Sequence, residues 1–167
     1  MAFSSHADRV TRMFDSHFTP ARATAREGAL APALVFTGHL LASRVFGWYR
    51  PYPDLDIPMH FAGGVAIAWF FHRAGVNASQ AGWLAPFHGA THALLVFALV
   101  GTTTVLWEFA EFLSDRYLGT HAQAGLEDTL LDMLFGGLGG FALLLCLLWK
   151  SRSRSITLER IGASRRD

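Results

Sequence analysis

Four apolar stretches govern what this chain can fold into. They run over about residues 29–48, 57–75, 89–113 and 126–149. Each matches the roughly 20 residues that an α-helix needs to cross the hydrocarbon core of a bilayer. The joints between them carry turn chemistry: "RPYPDLD", "GVNASQAGWLAP" and "SDRYLGTHAQAG". The expected fold is therefore all-α, a polytopic membrane protein built as a bundle of four transmembrane helices. Charged residues are only 16% of the chain and gather in residues 1–27 and 150–167. That unevenness belongs to a membrane protein with polar tails rather than to a soluble domain. It divides the chain into an N-terminal tail (1–27), a four-helix membrane domain (28–150) and a basic C-terminal tail (151–167). A net charge of +1 gives no reason to expect a nucleic-acid partner; the expected surroundings are lipid.

Residues 1–27 hold no apolar run of the signal-peptide kind, so no cleaved leader is expected there. Val10, Met13, Phe14 and Phe18 fall on one helical face, opposite Arg9 and Arg12. This is the pattern of a short helix lying on the membrane surface, with a frayed tail as the alternative. Four arginines precede the first span, Arg73 follows the second, and Lys150 with five arginines follows the fourth. The other two loops hold only Arg50 and Arg116, with Arg44 near the end of the first span. The positive-inside rule then puts both tails in the cytoplasm of a bacterium, in its inner (plasma) membrane, with the first and third loops outside. Trp48, Trp107 and Trp149 stand near span ends, as interface anchors do. Cys146, the one cysteine, excludes an intrachain disulfide and reads as a small apolar filler.

Against this background the polar residues inside the spans are conspicuous. Asp56 and His60 are four apart at the start of the second span. Glu108 and Glu111 are three apart near the end of the third, and Asp128 and Asp132 are four apart at the start of the fourth. Each spacing puts its pair on one helix face, and the topology brings all three pairs to the same side. Some of these have structural explanations. Asp56 before Ile57-Pro58 reads as an N-cap, and Glu127 and Asp128 suit the positive end of a helix dipole. Glu108 and Asp132 lie deeper, where a charge costs a few kcal/mol and normally faces protein or water. Asp54 and Asp115 are expected in solvated loops, where substitution is tolerated better.

Crowded carboxylates need a neutralising cation or protonation. Carboxylate and imidazole donors suit Mn, Zn, Fe or Mg better than copper, and helix-borne pairs at these spacings are how metal sites are built in bundles. The expected ligands are His60, Glu108, Asp128 and Asp132, supported by Asp56, with Glu111 and Glu108 as the acid–base groups. Haem is not expected, because His39 has no evident axial partner at matching depth. His72, His88 and His92 gather at the other ends of the second and third spans and read as interface histidines, with a second metal site as the alternative. His121 lies in the outer loop, placed to close over the site. The small residues of "FGGLGG" and "FAGGVA" suggest that the second and fourth spans cross closely.

The motifs have a family likeness. Asp-x-x-x-His opening one helix, Glu-x-x-Glu ending the next, and Asp-x-x-x-Asp followed by glycines resemble the VanZ-like group of small bacterial membrane proteins. The likeness covers about residues 54–140 and is carried by Asp56, His60, Glu108, Asp128, Asp132 and Gly136 or Gly139. Glu111, where VanZ-type proteins often have glutamine, resembles related inner-membrane proteins with a Glu-x-x-Glu motif. The resemblance implies the membrane fold and the site positions, and leaves the reaction open.

Three functions fit the sequence. The first is a metal-dependent site acting on an envelope lipid or cell-wall precursor head group. The second is a non-catalytic accessory subunit, partnered by other membrane proteins or by itself. The third is a cation or proton pathway.

Overall fold

The structure, a computed structural model, describes residues 19–85 and 88–164, with side chains as far as residue 151. The expected surface helix around Val10 to Phe18 lies outside the described residues. Those described are helical, with short connections. Helix α1 covers Thr19–Gly28. Helix α2, Leu30–Leu40, runs into a π-helical turn, Leu41–Val45. A 3-10 turn, Pro53–Leu55, leads into α3, Asp56–Gln80. Helices α4, Gly89–Leu118, and α5, Leu126–Ser164, complete the bundle.

By length and composition, α4 and residues Leu126–Ser151 of α5 can each cross a membrane. A third span arises if α1 and the Leu30–Val45 segment, bent by 49°, are counted as one. Helix α3 is long enough but carries Asp56, His60, His72, Arg73 and Asn77. Its polar positions are sheltered, since α3 packs on α2, α4 and α5.

Side chains are distributed as lipid would distribute them. Large apolar residues such as Leu94, Leu106, Leu130 and Phe141 are exposed, while the buried core is Ala68, Val96, Val100 and Leu144. Between helices in a membrane, small residues gain more by letting backbones approach than large ones gain by burial. The crossing of α3 and α5 shows this directly. A Cβ on Gly64 would collide with the Gly136 carbonyl, and one on Gly139 with the Phe61 carbonyl. The expected close crossing of these helices is present, with Gly64 and Gly139 at the contact; Gly140 instead meets Val100 of α4.

Two boundaries differ from expectation. Helix α3 continues through "GVNASQ", because Asn77 is buried and donates to Thr24 (3.1 Å) and Glu27 (3.4 Å) of α1. Arg73 also bonds to Glu27, and Trp69 donates to the Glu27 carbonyl at 2.9 Å. Residues read as a tail therefore include a helix docked on the bundle. Helix α4 runs on to Leu118, where Gly119 ends it in the left-handed conformation (φ +66°).

Candidate functional site

Asp56 does not cap α3. It is the first residue of the helix, and its side chain makes no capping bond because the preceding 3-10 turn already carries the chain into helical geometry. The carboxylate turns instead to His60 one turn on, 3.4 Å from Nε2. From α5, Asp132 approaches the same nitrogen at 3.7 Å. One ligating atom from each of Asp56, His60 and Asp132 lies within 4.8 Å of the others, a group that could hold a metal ion. Donors about 2.0–2.2 Å from a tetrahedral ion stand roughly 3.3–3.6 Å apart, close to the two distances seen here.

Several polar atoms of these residues are also left without hydrogen bonds. His60 Nε2, Asp56 Oδ1 and Asp132 Oδ2 are buried with no hydrogen bond, as is Glu108 Oε1. Asp132 is only 2% exposed and Glu108 5%. Buried polar groups in native proteins are nearly always satisfied, so an unpartnered atom on each of the three grouped residues calls for something that completes them.

The remaining expected residues occupy distinct places. Glu111 is buried on α4 and accepts from the Trp107 indole at 2.9 Å. Trp107 is in edge contact with Phe36 and His39 of α2. Glu108 is joined by Gln123, whose amide donates to its carbonyl (3.1 Å) and carboxylate (3.3 Å). Asp128 accepts from the Ala124 amide at 3.0 Å, reaching back across the start of α5 as a capping residue does.

Asp115 is not a solvated bystander. Its carboxylate accepts from the amides of Ala122 (2.8 Å) and Gln123 (3.0 Å) and from the Thr120 hydroxyl. The loop it gathers lays Gln123 over Glu108, while His121, expected in that position, is exposed. Tyr49 is a second residue the sequence did not single out. Its hydroxyl lies 3.1 Å from His39 Nδ1. Burial, with the charges of Asp56, Glu111 and Asp132, pushes the Tyr49 phenol up.

At the opposite end of the bundle His72 Nδ1 and His92 Nε2 are 3.0 Å apart, and His88 is exposed. Cys146 is exposed on α5.

A helical bundle with small residues inside, large apolar residues outside and a half-buried Asp–His–Asp group at one end is an integral membrane protein. The chain belongs to the family described as "Predicted membrane protein (DUF2238)", which matches residues 28–153. It is similar to an uncharacterized protein of Thermotoga maritima, 33% identical over 106 residues, or 63% of this chain. The chain spans about half of that relative's length, 53%. No solved structure matches it.

Proposed function

We propose that Asp56, His60 and Asp132 hold a divalent metal ion at the outer face of a bacterial inner membrane, where it acts on the polar head group of an envelope lipid or lipid-linked precursor. The observation that carries this reading is the convergence of three ligating side chains whose buried atoms have no other partner. Glu108 and Asp128, also expected as ligands, are not in that three-residue group; Glu108 Oε1 has no hydrogen bond, and Asp128 accepts from the Ala124 amide. Glu111 is the acid–base group, oriented by Trp107. Mn, Zn, Fe and Mg suit the donor set. A bound ion would polarise a phosphoryl or carbonyl oxygen and activate water, which places hydrolysis or transfer first among reaction classes. The order of motifs shared with VanZ-like proteins supports a common site.

A proton or cation pathway is disfavoured by the packing. The Thr102, Thr103 and Thr104 hydroxyls are bonded back to carbonyls of their own helix. Ala68, Val96, Val100 and Leu144 form a buried apolar layer along the same helices that carry the His72–His92 pair.

The test is elemental analysis of the purified protein together with its melting temperature. Wild type should carry stoichiometric metal, and a chelator should lower its melting temperature. Added Mn, Zn or Mg should restore it saturably, since an ion at about one hundred times its dissociation constant adds roughly 2.7 kcal/mol. His60→Ala and Asp132→Asn should abolish both metal content and rescue. Melting indifferent to chelator and metals would overturn the reading.

A further inference from the structure

Beside the polar group lies a cavity of about 230 Å³ between α2, α3 and α4. It begins at His39 and His60 and continues past Gly63 and Gly64 to Ile67 and Pro32. From His60 to Ile67 is seven residues of α3, or roughly 10 Å of depth at 1.5 Å per residue. The walls below the histidines offer no free polar group. Phe36, Val35 and Ile67 are apolar, and the Thr103 and Thr104 hydroxyls are already bound to the Leu99 and Gly101 carbonyls. The polar end of the cavity is lined by His39 and His60, and His60 is the residue it shares with the Asp56–His60–Asp132 group. The shape is that of an amphiphile: a polar head and one narrow apolar tail.

Gly63 adds an independent observation. A helix-interior glycine is destabilising against alanine, and neighbouring Gly64 is explained by the backbone of α5. Gly63 has no such reason, since a Cβ there would meet nothing within 4 Å. Its missing side chain leaves the cavity open instead.

We infer that the α2–α3–α4 cavity holds one acyl chain of a membrane phospholipid whose head group lies at the Asp56–His60–Asp132 group. This rests on the proposed reading of that group as a head-group site and gives it a substrate class: an acylated lipid rather than a water-soluble precursor. In the bilayer a cavity with apolar walls is filled by chains, and Trp107 and Phe36, in edge contact at 5.7 Å, form its aromatic wall. Leucine at position 63 would occupy the space without disturbing the α3–α5 crossing.

The experiment uses the full chain in lipid nanodiscs doped with phosphatidylglycerol carrying a diazirine midway along one acyl chain. After illumination, cross-links should concentrate on the cavity residues Ile67 and Trp107 above the level on the outward residues Leu94 and Phe109. Gly63→Leu should lower the cavity cross-links at least about tenfold, equivalent to about 1.4 kcal/mol. It should leave those on Leu94 and Phe109, and the metal content, unchanged; Gly63→Ala should keep the cavity labelled. Labelling spread evenly over the outward faces, or cavity labelling indifferent to Gly63→Leu, would overturn the inference. So would labelling by a polyprenyl phosphate with the same diazirine but not by the phospholipid. Protein that lacks metal yet shows the Gly63-dependent labelling would overturn the metal reading and support the chain site.

Discussion

Asp115 carries the connection between α4 and α5. Two backbone amides and one hydroxyl converge on its carboxylate, and that gathering holds Gln123 against Glu108. Hydrogen bonds to a charged acceptor contribute more than neutral ones, so Asp115→Ala is expected to cost roughly 1–2 kcal/mol. Asp54, exposed in the Pro53–Leu55 turn, should cost no more than about 0.5 kcal/mol when replaced by alanine. Thermal melts of the two variants in the same detergent check this, and equal melting points would remove the strap's assigned role. Gln123→Ala should leave the loop in place while stripping Glu108 of its partner, with a smaller shift than Asp115→Ala. The contrast also shows what a sequence reveals at this scale. Asp56 and His60, or Glu108 and Glu111, were legible because helical spacing is local and puts each pair on one face. Tyr49 and Gln123 come from loops, whose reach toward a helix is set by tertiary packing that no spacing encodes. Asp115 was misread for the same reason: its partners lie five to eight residues on, across a turn.

Two adjacent glycines of α3 separate packing from propensity. Gly64 sits where the backbones of α3 and α5 touch, and any side chain there meets the Gly136 carbonyl. A carbonyl cannot move aside as a side-chain tip can, so Gly64→Ala should cost at least the 1–3 kcal/mol typical of overpacking. Gly63→Ala, facing open space, should instead stabilise by up to about 1 kcal/mol through helix propensity. Melting temperatures moving in opposite directions for neighbouring substitutions are the expected result; a shared direction would mean the crossing lies elsewhere. The sequence indicated that small residues would bring these helices together, but "FAGGVA" alone does not say which of its residues faces α5. Helix ends were obscured likewise. "GVNASQ" has turn propensity, yet Asn77 and Arg73 find partners on α1 that keep the segment helical. The stop after Leu118 is a left-handed glycine cap, yet the apolar run ended five residues earlier.

For the molecule as a whole, composition alone identifies fewer spans than the four apolar runs suggested. Helix α3 falls short because it carries the site's first two residues and the inner polar contacts with α1. Its neighbours α2, α4 and α5 shield it, so polarity that would be costly toward lipid faces protein instead. This arrangement fixes a relation that holds whichever way the protein sits. His60 meets Asp132, and one turn on Gly64 meets Gly136, so α3 and α5 run parallel. Their starting ends, with Asp56 and Asp132, therefore lie on one side, beside the 119–125 loop held by Asp115. A reporter inserted in that loop thus reports the side of the site as well as of the loop. The excess of Lys and Arg in the tails and after α3 predicts that a reporter at residue 167 reads cytoplasmic and one within 119–125 reads external. The reverse pattern would move the site to the inner leaflet. Its ligands and acyl-chain cavity would still belong together, but the lipid offered to it would be a cytoplasmic-leaflet one.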